Sequence, residues 1–363
     1  MYRTYKFRLK PNKVQTQNLN KMLDYIQGIH DLYNKHYYEV KDMDKLDILA
    51  FFIKLKPELV NADRFALLLE IADLYNAHNT CKTKKNIYQY STNYFKSATN
   101  DITPIDNKFI YLPTIGFVGY YNGDYSNNIK NVYKFTVYKT IDEKFFVDIL
   151  SSKKPSIRAK KHLDIDNCIG LDYSSSRLYV DNKGNSPEVH HYLKDNIKQL
   201  DELKRKLGKY PKDTKQYKNV LKKYVLLHGK IANQRKDWLQ KISTNLANQY
   251  DYIFVEHVCL SEIVTHRNLG TSTVDNGYRK FIAMIDYKMK ERGKKLIEIE
   301  RYYPTTKKCN YCGHLINSIS LKQRTWQCPN CRMIHNRDIN AAINIKNRGM
   351  EIVKEKAEGQ PAC

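Results

Sequence analysis

Residues 309–345 read CNYCGHLINSISLKQRTWQCPNCRMIHNRDINAAINI. Two CxxC pairs are separated by 15 residues, and Asp338 follows the last cysteine by seven. Thiolates at this spacing suit one tetrahedral zinc ion, because each CxxC turn offers two sulfurs from one side. Gly313 and Pro329 stand where the two knuckles are expected to bend. A zinc held by Cys309, Cys312, Cys328 and Cys331 has no open coordination position, so it is structural and activates no water. The chemistry must then come from elsewhere. Asp338 lies in the first turn of the helical stretch NRDINAAINIKNRG, for which Gly349 is the expected stop.

Upstream, CIGLDYSSSRLYVDNKGN (168–185) reads as strand, tight turn, strand and turn, with Asp172 near the end of the first strand. YDYIFVEH (250–257) is a buried strand that finishes in Glu256. An amphipathic helix around Phe281–Met289 follows, then a further strand in KKLIEIERYY. An apolar strand ending in a carboxylate places charge at the edge of a sheet. Three such carboxylates brought together would repel one another unless divalent cations sat between them. Two-metal phosphodiester cleavage uses that arrangement, and magnesium suits a few carboxylates plus phosphate and water. Each acid also has a plainer reading. Asp172 favours turns, Glu256 could end its strand in solvent, and Asp338 could complement a helix dipole with Asn336 as cap. Spacing leaves Asp164, Asp166, Asp181 and Asp251 as rivals.

The whole chain has 363 residues, enough for two or three domains with a sizeable core, and 42% of it is hydrophobic. Lys and Arg number 62 against 38 Asp and Glu, a net charge of +24 that favours a polyanionic partner, foremost nucleic acid. No run of roughly 18 apolar residues is present, and the opening MYRTYKFRLKPNK lacks an apolar leader. The expectation is a soluble, cytoplasmic, nucleoid-associated protein with no membrane partner. Four of the eight cysteines form the CxxC pairs, while Cys81, Cys168, Cys259 and Cys363 are scattered, which suits a reduced compartment.

The N-terminal half opens with a strand, YRTYKFRL (2–9), followed by a helix from Val14 to about Tyr38 with Leu19, Met22, Leu23, Ile26, Ile29 and Tyr33 on one face. A second helix follows Ala62, with Phe65, Leu68, Leu69, Ala72 and Tyr75 as its expected stripe. The runs FIYLP, IGFVGYY, VYKFTVYK and KFFVDIL then predict a small barrel or sheet, and SSKKPSIRAKK (151–161) reads as a basic linker. Residues 190–248 predict two long helices broken at Gly208–Pro211. Residues 190–246 carry fifteen Lys and Arg against five Asp and Glu, a basic face able to follow a phosphate backbone. The 29 tyrosines suit stacking on unpaired bases as well as core packing.

GLDYSSSRLYVDNKGN, VEHVCLSEI, DNGYRKFIAMIDYKMKERGKKLIEIERYYPTTKKCNYCG and CPNCRMIHNRDINAAINI follow one another in order, and together they resemble the TnpB family. The opening YKFRLKPNKVQTQNLNKML and IYLPTIGFV extend the resemblance over nearly the whole chain. Members are RNA-guided nucleases of insertion sequences, similar to the nuclease part of type V CRISPR effectors. The resemblance implies an α/β fold with a RuvC-like (RNase H fold) nuclease domain over 166–305, in which 190–248 is a helical insertion. A zinc ribbon over 306–333 and a last RuvC helix over 334–350 follow, with a tail at 351–363. It further implies a wedge-like β-barrel from 1–10 and 86–150, a helical recognition module at 11–85 and a linker at 151–165.

The family's catalytic acids, which hold two magnesium ions, fall on Asp172, Glu256 and Asp338, beside one structural zinc. The implied partners are a guide RNA from the flanking transposon locus and target double-stranded DNA, in which base pairing supplies sequence choice. His257 and Asn336 depart from the family, which usually has Asp at both places. Two alternatives stand beside cleavage: a guided DNA-binding repressor that is inactive or weakly active as a nuclease, and an unguided zinc-ribbon nucleic-acid binder.

Overall fold

The computed structural model describes residues 2–80, 93–97, 104–105, 108–121, 129–152, 162–188, 190–258, 277–320 and 323–358. They fall into two compact units, Met1–Lys154 and Pro155–Cys363. Cys81, Cys259, Cys363 and residues 153–161 of the expected linker lie outside the described residues.

In the first unit, β1 (Tyr2–Lys10) buries Tyr5, Phe7 and Leu9 and leaves the residues between them more open, the period of a half-covered strand. It pairs antiparallel with β7 (Phe145–Ser152) and β5 (Gly116–Tyr120). With β2 (Tyr94–Ser97), β3 (Pro104–Ile105), β4 (Phe109–Leu112) and β6 (Lys130–Lys139) these make a seven-stranded sheet, ordered β2-β6-β7-β1-β5-β4-β3. β7 enters the stretch expected as linker, because Ser151 and Ser152 still pair with β1 and β6.

Helix α1 (Lys13–Lys35) starts at a capping box of Asn12 and Gln15 and buries the six residues its periodicity marks. α2 (Tyr37–Val40) and α3 (Lys45–Leu55) follow. α4 (Arg64–Thr80) corrects the expected stripe. Its buried residues are Ala66, Leu67, Glu70, Ile71 and Leu74, while Phe65 is 58% exposed. RFALLLEIADLY is apolar almost all round, so spacing alone does not choose a face; packing against α1 and α3 does. Glu70 can be buried because His30 of α1 meets it at 2.6 Å.

The second unit is built on a four-stranded sheet of order β11-β10-β8-β9. β8 (Cys168–Ser174) and β9 (Leu178–Asp181) form an antiparallel pair, while β10 (Tyr252–Glu256) runs parallel to β8 and to β11 (Lys295–Ile299). α5 (Tyr192–Lys209) and α6 (Lys215–Gln249) separate β9 from β10, and α7 (Tyr278–Glu291) separates β10 from β11. α5 continues through Gly208, so the hairpin turns just beyond Lys209 rather than at the glycine.

Alternation along the strands splits the core. Ile169, Leu171, Ile253 and Val255 pack with Leu239 and Leu246 of α6 and Phe281 and Ile285 of α7. Cys168, Phe254 and Ile299 pack on the other side with Ile345 and Ile352 of α8 (Arg337–Ala357). The result is an α/β layering of helix, sheet and helix. Among the described residues, no helix is long and apolar enough to cross a membrane.

α8 departs from expectation at both ends. Residues 334–336 are a short strand, β13 (Ile334–Asn336), paired with β12 (Thr325–Gln327), so the helix begins only at Arg337. It then runs past Gly349 to Ala357. Gly349 serves packing rather than termination: a Cβ there would lie 2.1 Å from Phe254 Cδ1. Likewise a Cβ on Gly170 would lie 2.3 Å from the Ala342 carbonyl oxygen. These two glycines let the helix rest directly on β8 and β10.

Candidate active site

That close seating places the acids. Val255 is the register partner of Leu171, so one step further along the parallel strands Glu256 and Asp172 stand side by side. By alternation both belong to the face that carries Phe254 and Gly170, the face α8 covers. Asp338 is one helical turn before Ala342, about 6 Å along the axis. Asp172 is two residues beyond Gly170, about 6.6 Å along the strand. The helix therefore delivers Asp338 to the end of the sheet where Asp172 lies.

Electrostatics agree. Burial, then the nearness of Glu256 and of Asp338, holds the Asp172 carboxyl well above the usual carboxylate range. Arg337 and Arg324 oppose that shift. Three of the four rival carboxylates are engaged elsewhere. Asp181 accepts from the backbone N–H of Lys183 and Asn185, Asp251 from Asp164, and Asp164 from Asp166.

A pH consequence follows for the cation-free protein. Asp172 binds its proton more tightly folded than unfolded, so stability falls as pH rises from the ordinary carboxylate pKa, about 4, through the raised folded value. Asp172→Asn should raise the melting temperature in EDTA above that interval and flatten the slope within it. Melting curves of the two proteins that stay parallel across the interval would count against the assignment.

Three residues at this site carry no marking in the sequence. Arg324 Nη1 donates to both oxygens of Asp338, at 3.0 and 3.3 Å, and Arg337 donates to Oδ1 at 3.2 Å from Nε and Nη2. The ribbon hairpin explains the pair: Thr325 faces Asn336, and the Arg337 N–H donates to the Arg324 carbonyl at 2.9 Å. Tyr278, at the start of α7, is buried where Glu256 and Asp172 add to its own desolvation and push the phenol up. The runs RTWQ and MIHN on either side of CPNC are too short for alternation to point to Arg324. His257 is turned toward β11, with Nδ1 2.9 Å from Glu298 Oε1.

The four cysteine sulfurs lie within 4.8 Å of one another, with Cys309–Cys331 and Cys312–Cys328 at 3.7 Å. Zn–S bonds of about 2.3 Å in a tetrahedron require sulfurs about 3.8 Å apart, so the set fits zinc. Each knuckle closes the same way: Gly313 N donates to Cys309 O and Arg332 N to Cys328 O, both at 2.9 Å. The turns fall on 310–312 and on 329–331, so Pro329 lies in the second as expected, and each turn is followed by a left-handed residue, Gly313 (φ +76°) and Arg332 (φ +62°). The backbone N–H of His314, followed by Asn330, lowers the Cys312 thiol to about 6.

Several aromatic rings of the first unit carry cations. Lys6 lies 4.9 and 4.8 Å from the Tyr138 and Phe146 rings, and Arg8 and Lys10 lie 4.6 and 3.9 Å from Tyr121. Lys6, Arg8 and Lys10 alternate along β1, so they share the face opposite its buried residues.

Two family models match in tandem. One described as a probable transposase covers residues 152–267, and one described as a Cas12f1-like TNB domain covers residues 278–345. A chain from Streptomyces pristinaespiralis, named provisionally as an RNA-guided DNA endonuclease, is 26% identical over 182 residues, 50% of this chain and 45% of that one. InsQ of Escherichia coli K12, provisionally named likewise, is 25% identical over 263 residues, 68% of this chain and 64% of its own length. A TnpB-like protein of Acanthamoeba polyphaga mimivirus, L79, is 26% identical over 175 residues, 45% of this chain and 32% of its own. The chain is similar to TnpB-type proteins.

Asp172 and Glu256 fall in the first matched stretch, and the four cysteines and Asp338 in the second. The alignments span 45% and 64% of the length of the first two relatives. The fold is also that of Cas12f1 in its complex with sgRNA and target DNA, at a TM-score of 0.51 and 15% identity over 92% of this chain and 82% of that one.

Proposed function

We propose that the chain is an RNA-guided DNA endonuclease of an insertion sequence, cutting target DNA by magnesium-dependent phosphodiester hydrolysis. The observation that carries this reading is the convergence of Asp172, Glu256 and Asp338, in which burial and then two neighbouring carboxylates raise the pKa of the third. An all-oxygen set of like charges fits hard divalent cations. When bound, two magnesium ions would activate water and stabilise the leaving oxygen.

The residues' own part is to hold those ions. Asp172 and Glu256 present oxygens from adjacent strands, and Asp338 presents its own from the first turn of α8. Arg337, largely buried, orients Asp338, while Arg324, 62% exposed, offers a guanidinium to an arriving phosphate. The β8–β9 hairpin beside parallel β10 and β11, flanked by helices, supports the RuvC-like (RNase H fold) reading. The four cysteines would hold one structural zinc.

Guide RNA and DNA enter through charge and likeness. The net charge of +24 exceeds what one duplex contact needs, and the Cas12f1 of similar fold is in complex with sgRNA and target DNA. The first unit, with its cation-bearing rings on β1, would act as wedge and recognition module, and the α5–α6 hairpin would follow a phosphate backbone.

The test is to strip the purified protein of RNA and incubate it with plasmid and magnesium, with and without a transcript from beside its own gene. Cutting only with the transcript is expected. Equal, sequence-specific cutting in both tubes removes the guide. Guide-dependent binding with no cutting would instead support a repressor.

A further inference from the structure

We propose that His335 is a positioning residue: it donates a hydrogen bond to the Cys309 thiolate and so couples the four-cysteine cluster to Asp338. The inference rests on reading that cluster as a metal site. His335 Nε2 lies 3.0 Å from Cys309 Sγ, and both residues are buried, at 5% and 1% exposure. A divalent ion on four thiolates leaves the cluster with two excess negative charges. A buried sulfur carrying part of that charge needs an N–H donor, and outer-shell donors of this kind tune how tightly the metal is held.

The ring cannot swing away. His335 faces Trp326 across the β12–β13 pair, with ring centroids 4.7 Å apart, and Trp326 is itself buried. The chain on the far side of His335 leads straight to the candidate active site. Asn336 caps α8, its Oδ1 accepting from the backbone N–H of Asp338 and Ile339 at 3.1 and 3.2 Å.

A second connection closes the loop. Asn340, two residues past Asp338, accepts from Asn310 N at 3.0 Å and donates to Lys308 O at 2.9 Å. Those two residues flank Cys309. Helix α8 therefore grips the backbone on both sides of the first cysteine, while His335 grips its sulfur. Cys309 and the first turn of α8 move together or not at all.

Cobalt(II) in place of zinc, in the full chain, reads the sulfur environment directly. His335→Phe keeps a ring against Trp326 and removes the donor; His335→Gln keeps an N–H near the Nε2 position. In His335→Phe the thiolate-to-cobalt charge-transfer band should move to lower energy, and a chelator should withdraw the metal about ten- to a hundredfold faster. The magnesium concentration for half-maximal guided cleavage should rise about tenfold, with guided DNA binding unchanged, and His335→Gln should restore much of each. NMR-active cadmium in the wild-type chain gives a reading free of mutation: scalar coupling between the metal and the His335 ring proton is expected.

An unchanged band and withdrawal rate in a folded His335→Phe, or no coupling in the cadmium protein, overturns the donor assignment. A wild-type spectrum of three sulfurs and one nitrogen overturns it too, by making His335 a ligand. An altered band with an unaltered magnesium requirement overturns the coupling to Asp338. A wild-type chain that takes up no cobalt overturns the metal-site reading, and the inference falls with it.

Discussion

Guided DNA cleavage is expected to fall by about a thousandfold or more in each of Asp172→Ala, Glu256→Ala and Asp338→Ala, while guided DNA binding stays within about threefold. The split between the two readouts is the informative part. Oxygens that hold cations act on charge that develops in the transition state, so their loss removes rate rather than ground-state affinity. A thousandfold corresponds to roughly 4 kcal/mol of transition-state stabilisation, reasonable for losing one holder of a shared ion pair. Single-turnover cleavage and filter binding on the same guided complexes separate the two. Near wild-type cutting by any one variant takes that residue out of the site.

Arg324→Ala sits usefully beside these three. Its guanidinium touches Asp338 yet is 62% exposed, so its removal leaves all three acids in place. The lost charge is one that both Asp338 and an incoming phosphate would feel, and a smaller loss of rate than from the acids is the natural outcome.

The strand ends at Asp172 and Glu256 were legible because the strands are simple. In YIFVE four buried residues end in a carboxylate, and in IGLD a second does. Alternation then puts Glu256 and Asp172 on one face. What the sequence could not show was contact between residues distant along the chain. Arg324 reaches Asp338 only through the ribbon hairpin, whose strands are three residues each, too short for periodicity to register.

The other misreadings share a cause: the deciding partner was out of view. Gly349 looked like a helix stop because a glycine in a helix costs stability, but Phe254 needs the space. α4 offered apolar residues on every side, and α1 and α3 chose among them.

The second large effect concerns the metal of the ribbon. Elemental analysis should find one zinc per chain, and Cys328→Ser should lose most of it and with it the fold of residues 306–336. The ribbon has almost no core of its own: among the described residues, Cys309, Trp326 and Cys328 form its buried apolar cluster, with Ile316, Ile319 and Cys331 partly covered. So little apolar burial cannot hold a hairpin of three-residue strands, whereas structural zinc contributes on the order of 10–16 kcal/mol in isolated finger peptides. The loss should be local at first. By hydrogen exchange, the amides of β12, β13 and the first turn of α8 should lose protection in the variant, while those of β8 and β10 keep theirs. Because Asn336 and Asn340 tie that first turn to the ribbon, Asp338 should lose its place as the ribbon opens, and cleavage should fail with the sheet intact. Should the ribbon amides exchange freely while the first turn of α8 stays protected, the ribbon does not brace Asp338, and its contribution lies in contacts with nucleic acid alone.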